Sequence, residues 1–284
     1  ILLRYPAVLA VRERLSRIAL MLVIGVLVVS CATNPVTGRR QFMILPESEA
    51  ISASAQAYTE MLAPLEKEGR INNDPALKQR VERITARIIP HAITYRPETA
   101  NWAWEVKVID DPKTVNAFCM AGGKMAVYTG LIEQIKPTDD ELAQVMGHEI
   151  AHALSSHTVE RMSIALATDL AITAYAVTRD RPAIALTGAA LAAALAIKLP
   201  NSRTAEAESD RIGIELAARA GYNPYAAASL WEKMGKESGA SKFDWLSTHP
   251  APAKRRERLL ELAPQMMPYY QAPRERPVFP LKSK

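Results

Sequence analysis

The chain has 284 residues, 49% hydrophobic and 23% charged, which is enough apolar material for a sizeable core and too little charge for a disordered polymer. Its net charge of +5 does not mark a nucleic-acid binder. Arg4, Arg12, Arg14 and Arg17 against Glu13 leave 31 basic and 29 acidic residues in the rest of the chain, and no basic stripe interleaves with aromatics.

Arg12, Arg14 and Arg17 precede IALMLVIGVLVVS, residues 18–30. A positive stretch before a short apolar run reads as a secretory signal. The run is shorter than the ~20 residues of a membrane span. It ends in VVSC, residues 28–31, which resembles the bacterial lipobox. That resemblance implies cleavage before Cys31, lipidation of Cys31, and, with Ala32 following, residence at the outer membrane. The alternative is an uncleaved anchor helix with an incidental cysteine. Either way the body faces an extracytoplasmic space. With Cys31 lipidated, the second cysteine, Cys119, has no disulfide partner and reads as a small buried apolar residue.

NPVTGRRQFMILPESE, residues 34–49, reads as a tether that becomes a docked segment. Low aromatic content and abundant alanine point to a mostly helical body. Residues 47–68 are helical in pattern and end at Gly69. Asp74-Pro75 has the form of an N-cap followed by proline in the first turn, and predicts a helix that Pro90 stops near Ile89. WEVKVID, VNAFCM and KMAVYTG then alternate as three strands, the last two joined by AGG as a hairpin. Thr138 and Glu141 have capping-box spacing and open the next helix. Residues 162–199 predict two helices broken at TRDRP, 203–220 another that stops at Gly221, and Asn223-Pro224 the start of the next. HPAPAKRRERLLELAP, residues 249–264, holds a last charged helix, and the proline-rich end from Pro264 reads as an extended tail.

VMGHEIAHALSSH, residues 145–157, carries three of the five histidines. His148 and His152 lie one helical turn apart and share a face, close enough to grip one ion. Neutral imidazoles suit zinc. Glu149 is displaced around the helix, beside the ion, where it can take a proton from water. The surrounding positions are apolar, so the helix is buried, and unpartnered His and Glu there would be costly. His157 and His91 read as structural. Catalytic zinc usually takes three protein ligands, and Glu206 and Asp210 are also one turn apart. One of these acids can ligate; the other can orient a histidine. Glu208 points elsewhere, into solvent or an ion pair.

HEIAH followed by E-x-x-x-D, with SR before and DRIG after, resembles the HtpX and CAAX-prenyl-protease type of zinc metallopeptidase, a gluzincin family. NPVTGRRQ, VNAFCMAGGKMAVYTGLI and STHPAP are similar to stretches of its secreted bacterial lipoprotein branch. The resemblance implies an α+β, mostly helical fold, with a small three-stranded antiparallel sheet beside the H-E-x-x-H helix. It implies one zinc per chain on His148, His152 and Glu206, Glu149 as base, and Asp210 in support. It places Asn116, Ala117 and Phe118 along a substrate cleft. His249 of STHP is either a structural histidine or one that approaches zinc, steadying the oxyanion or filling the open position. Arg203 is a second oxyanion candidate. The organisation that follows is a lipoprotein signal peptide (1–30), a lipidated tether (31–46), a metallopeptidase domain (47–263) and a tail (264–284).

The function implied is zinc-dependent hydrolysis of peptide bonds on the periplasmic face of the outer membrane. Its partners would be protein or peptide substrates, the anchoring lipid and other envelope proteins. Two alternatives stand beside it. One is a chaperone-like binding lipoprotein whose zinc is structural or blocked. The other is an integral membrane protease, suggested by the apolar run 183–199, which otherwise reads as a helix packed over the site.

Overall fold

The structure, a computed structural model, describes residues 31–178, 188–237, 244–249, 254–272 and 275–281. The predicted signal (1–30), most of the TRDRP break, the start of the run 183–199 and the end of STHPAP lie outside the described residues. A short antiparallel pair, β1 (Cys31–Thr33) and β2 (Arg40–Phe42), precedes helix α1 (Glu47–Lys67). Helix α2 (Pro75–Tyr95) begins as predicted: Asp74 Oδ1 accepts from the N–H groups of Ala76 and Leu77 at 2.9 and 3.0 Å.

Helix α2 does not stop at Pro90. Proline lacks the N–H that would bond the carbonyl four residues back, at Ala86. The C-terminal segment supplies a substitute, with Phe279 N–H donating to Ala86 O at 2.8 Å. Phe279 and Leu281 also pack against the main core, so this part of the tail is docked. The last helix likewise runs through Pro264 and Pro268 to Gln271. Its buried face, Arg255, Leu259, Ala263 and Met266, continues past the first proline, so packing outweighs the lost bond.

The three predicted strands form as β3 (Glu105–Ile109), β4 (Ala117–Met120) and β5 (Lys124–Tyr128). The hairpin β4–β5 turns through Gly122 and Gly123, both at φ near 80°, a conformation glycine adopts without strain. The sheet is mixed, not antiparallel throughout. Its order is β3-β5-β4, and β3 runs parallel to β5. Alternation fixes which face a side chain takes, not strand direction. The link from Asp110 to Asn116 carries the chain to the far edge, held where Thr114 and Gly130 N–H groups both donate to Asp111 O. Central β5 is covered on both faces: Met125, Ala126 and Val127 have no exposed surface.

The remaining helices are α3 (Thr129–Ile135), α4 (Asp139–Leu154), α5 (His157–Thr178), α6 (Ala189–Ala196), α7 (Arg203–Arg219), α8 (Ala226–Glu237), α9 (Asp244–Thr248) and α10 (Arg255–Gln271). The capping box forms: Glu141 N–H donates to Thr138 Oγ1 and Thr138 N–H to Glu141 Oε2. From Glu141 to Leu154 every residue of α4 is buried. One core cluster joins α2, the sheet, α4 and α7, and a second joins α1, β4 and α6. Among the described residues no helix is long and apolar enough to cross a membrane.

Helices α4 and α7 are the most extensively packed pair of elements. They touch backbone to backbone where Gly147 meets Gly213. A Cβ on Gly147 would stand 2.6 Å from Gly213 O, and one on Gly213 would stand 2.7 Å from His148 N. Two glycines thus set how closely the helices approach. Gly213→Ala is expected to lower the unfolding free energy by roughly 1–3 kcal/mol through overpacking. Gly235→Ala, a helical site with open space around it, should leave it unchanged or raise it. Denaturant midpoints check both; equal midpoints would mean the crossing is not sterically set.

Candidate metal centre

Because α4 is buried all round, its polar residues His148, Glu149 and His152 stand in the core, at 5%, 3% and 1% exposure. The i, i+4 spacing brings His152 Nε2 to 3.0 Å from His148 Nε2. The glycine crossing sets α7 against this face. Glu206, with no exposed surface, lies 3.4 Å from His148 Nε2 and 3.2 Å from His152 Nε2 through its two oxygens. His249, at the end of α9, completes the cluster. Its Nδ1 is 2.9 Å from Glu206 Oε1 and 3.3 Å from His148 Nε2. Its ring stacks on Trp245 with centroids 4.2 Å apart.

These four side chains suit a tetrahedral divalent ion. Arms of about 2.0–2.1 Å to nitrogen and oxygen put neighbouring donors roughly 3.3 Å apart, and the separations just given bracket that distance. Imidazole and carboxylate are also the donor types zinc takes. Among the described residues this is the one group of three or more such donors converging on a common point. Of the two acids the sequence left open, Glu206 is the one inside the donor set. Asp210 takes the other role: its Oδ1 lies 3.1 Å from His148 Nδ1, on the side of the ring away from the Nε2 that faces the cluster.

Electrostatics agree with a cation at the centre. Burial lowers the proton affinity of His148, but the Glu206 and Asp210 carboxylates outweigh it and raise the pKa to about 9. Burial drives His152 well below the usual histidine range. Burial also disfavours ionised Glu206, yet His249 and His148 hold it far below the ordinary carboxylate value. Glu149 lies beside the donors, not among them. Its Oε1 is 3.5 Å from His249 Nε2 and makes no hydrogen bond. Burial raises its pKa despite the nearby imidazoles, which makes it a better proton acceptor.

Arg203 is exposed at the start of α7; the arginines near the cluster are half-buried Arg161 and buried Arg255. Arg255 donates to Glu206 Oε2 and to Asp210 Oδ1, each at 2.6 Å, and its guanidinium lies 4.0 Å from the Trp231 ring centre. It stands in the KRRER run of the predicted charged helix, in helical register with the buried Leu259 and Ala263, and that register is the available signal. His157 reads as structural from the sequence. It opens the next helix, and its Nδ1 returns to 2.9 Å from His152 Nδ1. Glu208 is ion-paired to Arg39 and lies 2.8 Å from His157 Nε2.

Of the cleft candidates, Phe118 stands in the second core, its ring against Tyr58 and Tyr128. Ala117 is buried, and Asn116 Oδ1 accepts from its N–H. The outer edge of β4 is the side that faces away from β5. Trp245 N–H donates there to Val115 O, and Thr158 Oγ1–H to Cys119 O. Cys119 itself is buried. Burial, helped by the Glu149 charge, pushes its thiol well above the usual range, which fits the packing role.

A sequence profile described as Peptidase family M48 matches residues 75–263. Mitochondrial metalloendopeptidase OMA1 of Arabidopsis thaliana is 41% identical over 174 residues, 61% of this chain and 34% of its own. The Bos taurus mitochondrial metalloendopeptidase OMA1 is 32% identical over 253 residues, 82% of this chain and 46% of its own. Metalloprotease LoiP of Escherichia coli K12 is 33% identical over 150 residues, 52% of this chain and 58% of its own. The chain therefore spans between a third and somewhat over half of the length of these relatives.

The Arg255 contacts generate a prediction about the metal-free protein. Arg255→Met strands two buried carboxylates and should cost roughly 3–5 kcal/mol of stability. Arg256→Met removes only an exposed pair with Glu232 and should cost less than about 1 kcal/mol. Urea unfolding in chelator measures both, and similar losses would remove Arg255 from its structural role.

Proposed function

The chain belongs to peptidase family M48, and from that premise we propose that it is a zinc-dependent endopeptidase. The observation that carries this reading is the separation of roles around one point. Three buried donors from α4 and α7 converge, and Glu149 stands next to them with an unbonded oxygen. Zinc, when bound there, polarises a peptide carbonyl and makes water acidic enough to lose a proton near neutral pH. His148, His152 and Glu206 would hold it. Glu149 accepts the proton and then delivers it to the leaving amine. The outer edge of β4, at Val115, Ala117 and Cys119, offers the backbone groups with which an extended substrate would pair.

His249 occupies the position that a substrate or water would need. A catalytic zinc keeps one position open, whereas a structural zinc is closed. Turnover therefore requires α9 to withdraw, which releases both the His249 ring and the Trp245 bond to Val115. The same observation favours a second reading, a binding lipoprotein whose zinc is permanently blocked.

Location and substrates belong to the proposal as well. The charged and apolar N-terminal pattern ending at Cys31 supports a lipid anchor on the periplasmic face of the outer membrane. That compartment, and the resemblance to secreted peptidases, supports misfolded or unassembled envelope proteins as substrates.

One experiment separates the readings: zinc content and casein cleavage measured on the same samples. The wild type should carry one zinc per chain. Glu149→Gln should keep the zinc and lose at least ~100-fold in cleavage, the usual weight of a positioned acid–base group. His249→Ala should keep the zinc and cleave several-fold faster. Undiminished cleavage by Glu149→Gln would remove the mechanism. Zinc without cleavage in both the wild type and His249→Ala would establish the blocked-site reading.

A further inference from the structure

The segment Asn34–Gln41, which the sequence presents as a tether, reaches the metal centre through an unbroken chain of side chains. Asn34 folds it into a turn: its Oδ1 accepts from the N–H groups of Val36 and Thr37, and its Nδ2 donates to Ser155 O at 3.1 Å. Gln41 Nε2 donates to the same carbonyl at 2.9 Å. These bonds fix Thr37 and Arg39 over Glu208. Thr37 Oγ1–H donates to Glu208 Oε1 at 2.8 Å, and Arg39 Nε lies 3.1 Å from both Glu208 oxygens. The other end of the Arg39 guanidinium is held by Glu160 at 2.8 and 3.1 Å. Glu208 cannot swing away from this clamp.

What Glu208 does follows from proton bookkeeping on two imidazoles. Its carboxylate only accepts, so His157 Nε2, 2.8 Å away, must carry the hydrogen. A neutral His157 then has a bare Nδ1. That atom lies 2.9 Å from His152 Nδ1, so His152 carries its own hydrogen there and donates it. The free lone pair of His152 is left on Nε2, the atom that faces His148 and Glu206. With the opposite arrangement, the His152 hydrogen would sit on Nε2 and close that atom to a cation. His148 has an equivalent arrangement in Asp210 and Arg255; His152 has His157, Glu208 and Arg39.

We propose that His157 and Glu208, clamped by Thr37 and Arg39, are positioning residues that fix His152 in its Nδ1–H tautomer, so that segment 34–41 is a working part of the metal centre. Supports of this kind commonly carry a 10–100-fold effect on metal affinity. The inference rests on the zinc reading above, and the test keeps the two apart. Full-length wild type, Glu208→Ala, Glu208→Gln, His157→Phe and Arg39→Ala are titrated with zinc against a competing chelator. Circular dichroism of each metal-free protein identifies any variant that has lost its fold, and the isosteric Glu208→Gln keeps the question answerable. Glu208→Ala and His157→Phe should bind zinc about 10–100-fold more weakly, and Arg39→Ala should weaken it in the same direction. Glu208→Gln, whose amide oxygen still accepts from Nε2–H, should recover most of the loss. Cobalt-loaded Glu208→Ala should show an altered visible spectrum, which a purely structural defect far from the ion would not produce. Wild-type affinity in Glu208→Ala and His157→Phe overturns the inference, as does Glu208→Gln no better than Glu208→Ala. A wild type that takes up no zinc overturns the zinc reading, and the inference with it.

Discussion

Glu206 is a carboxylate with no exposed surface, and much of the molecule is arranged around that fact. A charge taken from water needs opposite charge and donors close by. Two imidazoles come from α4, one from α9, and a guanidinium from α10. These groups come from three other helices, so the carboxylate on α7 ties four helices to one point. The glycine contact between α4 and α7 makes the approach possible, and the capped start of α4 fixes its register. A divalent cation would complete the balance: His148 Nε2 and His152 Nε2 converge to 3.0 Å, close enough for both to point at one ion.

The same arrangement links access to the site with its chemistry. Helix α9 contributes His249 to the cluster and the Trp245 N–H to the β4 edge. One short element therefore covers both the metal position and the strand along which a peptide would lie. Among the described contacts that hold it are the Trp245 ring, buried in the main core and stacked under His249, and Asn201, whose backbone N–H and side-chain amide both donate to Thr248 O. The glycine contact between α4 and α7, which sets His148, His152 and Glu206 together, lies outside this element.

How much of this was readable beforehand depended on the range of each interaction. His148, Glu149 and His152 declare themselves because one helix carries them at a spacing that only a shared ligand explains. Glu206 and Asp210 were visible as a pair, but which one faces the ion depends on how α7 crosses α4, and periodicity does not encode that. Arg255 is more than 40 residues from either acid it holds, inside a run of like charges that does not single it out. His157 sits nine residues past His148, where helical phase predicts divergence; the turn between α4 and α5, with Ser156 at positive φ, brings it back. The parallel β3–β5 pairing was hidden because alternation is blind to direction. The passage of α2 through Pro90 was hidden because its replacement donor, Phe279, lies near the other end of the chain.

Zinc K-edge X-ray absorption on the purified protein tests the central claim most directly, since it reports the atoms around the ion without reference to activity. The account predicts four nitrogen or oxygen neighbours at about 2.0–2.1 Å, with the outer-shell scattering of three imidazoles in the wild type and of two in His249→Ala. A sulfur neighbour at about 2.3 Å, or an imidazole count that His249→Ala leaves unchanged, would contradict it.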